Sequence, residues 1–240
     1  MRLDVFLAQK EGLSRTKCRQ MILDGKVRVE GACVTKPSFP ILSEEKVEIA
    51  GEKGFVSRGA LKLESALEKF CPMGLKVSGR ECIDVGASTG GFTQVLLKWG
   101  AKDVIALDVG TDQLSPLLQS DPRVRNMEGV NIRFLNPSSL PTFPTLATAD
   151  LSFISLRLAL PKIFEIESVQ ECVALVKPQF EVGKGKLGKR GVVKDEKERE
   201  KSLEAVKEAA KKEGLKILSS LPSPLAGEKG NREFLLWLHR

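Results

Sequence analysis

The chain has 240 residues, 42% of them hydrophobic and 29% charged, with a net charge of +7. That much apolar side chain suits a packed core and excludes wholesale disorder, and no apolar run reaches the ~18 residues of a membrane span. Five scattered cysteines (Cys18, Cys33, Cys71, Cys82 and Cys172) with no Cys-x-x-Cys pair exclude a disulfide framework and a zinc site, so no metal is expected.

The chain opens Met1-Arg2-Leu3-Asp4, without the apolar stretch of a signal peptide, and a cytoplasmic location is expected. Residues 1–50 read as a small separate module. Leu3, Phe6 and Leu7 fit the apolar face of a first helix. Ser14 reads as the N-cap of a second, with Cys18, Met21 and Ile22 at helical spacing and Gly25 at its end. Val27 and Val29 alternate with charged residues before a turn at Glu30-Gly31, and Val47 and Ile49 alternate again. Gly12-Leu13-Ser14-Arg15, Met21-Ile22, Gly25-Lys26-Val27, Val29, Gly31 and Lys36-Pro37-Ser38 together resemble the αL RNA-binding motif of a small-subunit ribosomal protein. The resemblance implies RNA contacts through Arg15, Lys17, Arg19, Lys26 and Arg28. Glu30 stands where that motif usually has Asn.

Charge is concentrated in two zones. Residues 1–40 hold eight Lys/Arg against four Asp/Glu, and residues 177–194 hold six against one. Such zones suit a polyanionic partner, and Arg58, Lys184 and Lys186 join the expected RNA contacts.

Residues 51–57, with Gly51-Glu52-Lys53-Gly54, read as a linker, and 58–240 as a larger domain. Strands are expected at Cys82–Val85, Val104–Val109, Val124–Met127, Leu146–Asp150 and Cys172–Val176. A helix stripe through Phe92, Val95, Leu96 and Trp99 follows the first strand. A charged helix over Lys194–Lys212 precedes two closing strands, Leu215–Ser219 and Glu233–Leu238. Alternating strands and helices predict an α/β, doubly wound, Rossmann-like sheet with helices on both faces. Two closing strands with no helix between them predict an edge hairpin, giving six parallel strands plus one antiparallel edge strand.

Asp84-Val85-Gly86-Ala87-Ser88-Thr89-Gly90-Gly91 ends the first strand and opens a helix, where open α/β sheets bind ligands. Its glycine spacing, Gly86-x-x-x-Gly90-Gly91, is not the dinucleotide fingerprint, and no Lys follows as in a P-loop. Asp108 ends the second strand, placed to accept the hydroxyls of a ribose. Glu128 or Asn131, beyond the third strand, is expected to meet an adenine amino group. A nucleoside without phosphates but with a sulfonium suits a turn flanked by Asp84 and Asp108, so S-adenosylmethionine is the expected donor. Asp84, Gly86, Ala87, Ser88, Gly90, Gly91 and Phe92 are its expected first contacts.

Lys62 precedes this turn, while Asp150, Lys177 and Glu233 lie at or near the ends of later strands. A ribose hydroxyl is a poor nucleophile, so its methylation needs alignment and a group that takes the proton. A lysine does this when a neighbouring cation or desolvation favours its neutral form. Lys177 is the expected base, Lys62 the neighbouring cation, Asp150 the group that orients the lysines near the sulfonium, and Glu233 the completing acid.

Ser57-Arg58-Gly59-Ala60-Leu61-Lys62-Leu63, Asp84 through Thr93, Asp150-Leu151-Ser152-Phe153-Ile154-Ser155-Leu156, Val176-Lys177-Pro178-Gln179-Phe180-Glu181 and Gly230-Asn231-Arg232-Glu233-Phe234 together resemble the TlyA family. The resemblance implies an αL RNA-binding domain joined to an FtsJ-like methyltransferase, with ribosomal RNA or ribosomal subunits as partner and a cytidine 2′-hydroxyl as acceptor. Family members are often labelled haemolysins. A cytolysin and a catalytically inactive ribosome-assembly factor are the competing expectations, the former disfavoured by the lack of a spanning apolar segment.

Overall fold

The computed structural model describes residues 1–11, 14–23, 27–42, 45–49, 54–188, 191–227 and 229–240. Gly12, Leu13, Gly25, Lys26 and the linker residues Gly51, Glu52 and Lys53 lie outside them. The chain forms two compact units, Met1–Phe55 and Val56–Arg240.

In the first unit, α1 (Leu3–Glu11) and α2 (Arg15–Leu23) precede a three-stranded antiparallel sheet of order β2-β1-β3. Its strands are β1 (Val27–Val29), β2 (Ala32–Val34) and β3 (Val47–Ile49). Leu3 and Leu7 of α1, Cys18 and Ile22 of α2, and Val27, Val29, Val34 and Val47 of the strands share one core. Removing these side chains from water is the main force holding so small a unit together. The β1–β2 turn sets Glu30 at φ 49° and Gly31 at φ 81°, with Val29 opposite Ala32. A two-residue hairpin with both central residues left-handed favours Asn-Gly. Here Glu30 takes the strained position, and its carboxylate accepts the Lys46 amide beside β3. Strand β2 was not anticipated, because Ala32-Cys33-Val34 shows no alternation of apolar and polar residues.

The second unit is a seven-stranded sheet of order β6-β5-β4-β7-β8-β10-β9. The strands are β4 (Glu81–Val85), β5 (Asp103–Leu107), β6 (Val124–Met127), β7 (Leu146–Ala149), β8 (Glu171–Val176), β9 (Lys216–Pro222) and β10 (Phe234–His239). Strands β6, β5, β4, β7 and β8 pair in parallel, and β10 is antiparallel to both β8 and β9. The single antiparallel strand is thus the inner member of the edge hairpin, with β9 at the rim. The helices are α3 (Gly59–Phe70), α4 (Gly91–Lys98), α5 (Pro116–Gln119), α6 (Leu156–Phe164), α7 (Pro178–Glu181) and α8 (Glu196–Lys212).

Alternate strand residues face opposite layers. Ile83, Val85, Ile105, Leu107, Ala147 and Ala174 pack with Leu156, Leu160 and Ile163 of α6 and Leu203, Val206 and Ala210 of α8. On the other face Phe70 of α3 stacks on Trp237 of β10, with ring centroids 5.5 Å apart, and Thr93 of α4 bonds Asp84 of β4. The chain leaves β4 towards β5 and β6, then returns to β7 on the opposite side of β4. The carboxyl ends of β4 and β7 therefore flank the switch point at which such sheets bind ligands.

Candidate active site

The rim of the sheet gathers the four polar residues singled out in the sequence. Asp150 directly follows β7, and Lys177 directly follows β8. Glu233 directly precedes β10, and because β10 runs antiparallel, with Phe234 opposite Val176, its start lies at the end of β8. Lys62 lies one turn into α3 and is 9% exposed. Its Nζ is 2.6 Å from Glu233 Oε2, an ion pair almost closed to solvent. Lys177 Nζ is 2.7 Å from Asp150 Oδ1 and donates a hydrogen bond of 3.0 Å to Ser152 Oγ. The Gln179 amide lies 3.5 Å from Glu233 Oε1, on the short helix that starts after Lys177. Gly59, at the start of α3, faces the Asp150 carboxylate: a Cβ built on it would lie 3.6 Å from Oδ2. Two amines and two acids thus form two ion pairs at the same end of the sheet.

The glycine-rich turn is held tightly from below and beside. Gly86 has φ 88°, and a Cβ there would come 2.6 Å from the Asp150 carbonyl oxygen. Only glycine permits both the backbone angle and that approach. The glycines at 90 and 91 are likewise closed in by protein, Gly90 by Leu114 and Leu118 and Gly91 by Ser57. The amides of Gly86 and Ala87 donate to the Leu107 carbonyl, and the Ser88 amide donates to Asp108 Oδ2 at 2.8 Å. Asp108 Oδ1 accepts the Gly110 amide at 2.7 Å. Each Asp108 oxygen keeps a second acceptor position, and two such positions side by side match a ribose diol. The contacts of the turn run to Asp108, Gln113, Leu114, Leu118, Ser57 and the Asp150 carbonyl, none of them cationic. This donor set fits a phosphate-free nucleoside carrying a positive charge.

Three of the expected donor contacts are engaged within the protein itself. Asp84 is fully buried on the α4 face, where its carboxylate accepts the hydroxyls of Thr93 at 2.7 Å and Thr148 at 2.9 Å. Burial pushes it up to about 7, against the pull of those two hydrogen bonds. It braces the turn from inside and presents no surface to a ligand. Phe92 is buried as well, packed towards Gly59 of α3. Glu128 spends its carboxylate on the amides of Gln113 and Leu114 and on Asn126. Burial opposes its charge, yet these bonds outweigh that and hold it below the usual carboxylate range. Asn131 caps the turn at Ile132–Phe134 through its carbonyl, which leaves its amide hydrogens to donate.

Of the expected RNA contacts, Arg19, Arg28 and Arg58 are exposed. Arg15 is exposed and pairs at 3.1 Å with Asp4, a buried carboxylate that also takes Arg2. Lys17 lies on α2, and Lys184 begins a short turn ending at Lys186. Lys186 pairs with Glu198 of α8 at 2.5 Å. Glu198 also pairs with Lys201 at 3.0 Å. Lys26 lies outside the described residues.

The sequence reading missed several neighbours of the four. Phe153, 92% exposed at φ 66°, lies at 5.5 Å from the Phe180 ring and presents an aromatic face beside Ser152. Glu181 is buried and binds Ser155 and the Leu156 amide, tying α7 to the loop after β7. Asn231 is buried two residues before Glu233 and holds the Val193 amide and the Gly191 carbonyl. All three fall within segments that carry the family resemblance, but nothing in their spacing shows the contacts they make.

Comparisons with known proteins show the family and the fold. The family described as FtsJ-like methyltransferase matches residues 55–240, and the S4 domain matches residues 1–47. The 16S/23S rRNA (cytidine-2'-O)-methyltransferase TlyA of Mycobacterium tuberculosis is 44% identical over 99% of this chain and 89% of its own length. Hemolysin A of Brachyspira hyodysenteriae is 40% identical, over 98% of both chains. A solved structure described as a putative hemolysin from Streptococcus thermophilus is 40% identical with a TM-score of 0.79, covering 100% of this chain and 88% of that one.

Proposed function

We propose that this chain, which belongs to the TlyA family of FtsJ-like methyltransferases, transfers the methyl group of S-adenosylmethionine to the 2′-hydroxyl of a cytidine in ribosomal RNA. The single observation that carries this reading is the convergence of Lys62–Glu233 and Lys177–Asp150 beside the glycine-rich turn.

The donor supplies an activated methyl carbon on a sulfonium. Asp108 takes the ribose of the donor, Asn131 its adenine, and the turn from Gly86 to Gly91 shapes the space between. The Asp150 carboxylate, paired with Lys177 and facing Gly59, would place negative charge near the sulfonium. The acceptor hydroxyl would be placed beside Lys177. Lys177 would take the proton of that hydroxyl as its oxygen is methylated. Lys62, held by Glu233, would supply a second positive charge that stabilises negative charge growing on the oxygen. The four act as a coupled set. Holding both reactants in a near-attack arrangement supplies a large part of the rate.

The S4 domain and the exposed Arg19, Arg28 and Arg58 support docking on RNA by phosphate contacts. The partner is ribosomal RNA, free or within an assembled subunit, and the work takes place in the cytoplasm where that RNA is made. Some relatives carry hemolysin names. Among the described residues no helix is long and apolar enough to cross a membrane.

The test is methyl transfer from labelled S-adenosylmethionine to ribosomal RNA, followed by mapping of 2′-O-methyl marks. A mark on a cytidine ribose that requires the protein is expected. Label on a base, or no label on naked RNA or on either subunit, contradicts the reading.

A further inference from the structure

Lys177 is held by two contacts of different kinds. Asp150 Oδ1 lies 2.7 Å from Nζ as an ion pair, yet that buried oxygen carries no aligned hydrogen bond. The hydroxyl of Ser152, at 3.0 Å, accepts a directional bond from Nζ. Coulombic attraction fixes a distance and leaves a flexible lysine free to swing about its partner. A hydrogen bond fixes an angle as well.

The Ser152 loop is anchored at both ends. The Asp150 amide donates to the Val85 carbonyl at 3.0 Å, which ties the start of the loop to β4. At the far end the Leu156 amide donates to Glu181 Oε1 at 2.8 Å. Glu181 lies on α7, the helix that begins immediately after Lys177. Ser152 is therefore placed by the same elements that place the lysine. Between these anchors Phe153 adopts φ 66°, a left-handed angle that a bulky residue takes only when its surroundings impose it.

We propose that Ser152 is a positioning residue for Lys177, a role that rests on Lys177 being the base. Once the ammonium of the ion pair has released one proton to solvent, the neutral amine has two N–H bonds and one lone pair. When one N–H points at Ser152 Oγ, the lone pair is excluded from that direction and is turned towards the acceptor hydroxyl. In the reaction the ribose O–H bond breaks and its proton joins Nζ. The oxygen electron pair forms the new O–CH3 bond, and the pair of the broken S–CH3 bond stays on sulfur. Ser152 gains and loses nothing in this step.

The experiment compares Ser152→Ala, Ser152→Thr and Lys177→Ala in the full chain, by single-turnover transfer at saturating donor and RNA. The KM for each substrate, donor affinity by calorimetry and Tm are measured alongside. Ser152→Ala is expected to slow transfer by about 10-fold, as misorientation of a reacting group does, with KM, donor affinity and Tm unchanged. Ser152→Thr keeps the hydroxyl and is expected to stay within about two-fold of the parent. Ser152→Ala at the parent rate, with Lys177→Ala inactive, overturns the role of Ser152 and leaves the base in place. A slow Ser152→Ala whose defect lies in the KM for RNA, or that Thr does not rescue, makes Ser152 an RNA contact and also overturns it. Full activity of Lys177→Ala removes the base itself, and the role of Ser152 falls with it.

Discussion

Lys62 and Glu233 are 171 positions apart in the chain and 2.6 Å apart in the fold, an ion pair that closes the α3 side of the active site. A buried pair repays its desolvation only when both partners remain. Glu233→Ala leaves Lys62 unpaired and is expected to destabilise the second unit by about 3 kcal/mol. The double variant Lys62→Met/Glu233→Leu recovers most of that loss in a thermal melt and stays inactive. Recovery of both stability and activity would mean that the pair serves folding alone.

Asp84 makes stability depend on pH. Its folded value, about 7, lies above the ordinary 3.8. The folded state therefore holds a proton that the unfolded chain releases. Stability from this group is present below the ordinary value and is lost as pH rises towards about 7. Asp84→Asn cannot ionise, so its melting temperature is expected to fall less between pH 4 and 7 than that of the parent (about those limits). An unchanged slope would mean that Asp84 is ionised throughout.

Gly86 permits the turn to lie against Asp150. In Gly86→Ala the left-handed angle alone costs about 1–2 kcal/mol, and the new carbon meets the Asp150 carbonyl. The variant is expected to lose at least about 2 kcal/mol of stability and to bind donor more weakly. Donor affinity equal to the parent, measured by calorimetry, would show that the turn and Asp150 move independently of the donor site.

Asp108 has two amides and two free acceptor positions. Asp108→Asn replaces one carboxylate oxygen by a donor that faces another donor, so donor affinity is expected to fall about 10-fold or more. RNA affinity should not change. A drop in Tm with donor affinity intact would leave Asp108 as a brace for the loop over 108–114 and nothing more.

Much of this arrangement is legible in the sequence, because the first strands and the turn after them are continuous apolar runs broken by glycine. Other features leave no trace there. Both faces of β4 are covered, so no alternation marks which side Asp84 takes. Glu233 joins Lys62 through the reversal of β10, a consequence of the hairpin and not of any local pattern. Strand β9 runs on to Pro222, beyond the expected end at Ser219, because an edge strand tolerates proline. The glycines after Gly86 look like ligand glycines in sequence, while in the fold leucines and Ser57 fill the space beside them. Ser152 falls within a segment that carries the family resemblance, but no local pattern shows its hydrogen bond from Lys177.

The central claim, that two amines and two acids cooperate to deprotonate a ribose hydroxyl, is tested most directly by methyl transfer in Lys177→Ala with donor and RNA binding measured on the same protein. Transfer is expected to fall at least about 100-fold, the usual scale for a general base, with both affinities within a few-fold of the parent. Transfer at the parent rate with both ligands bound would contradict it.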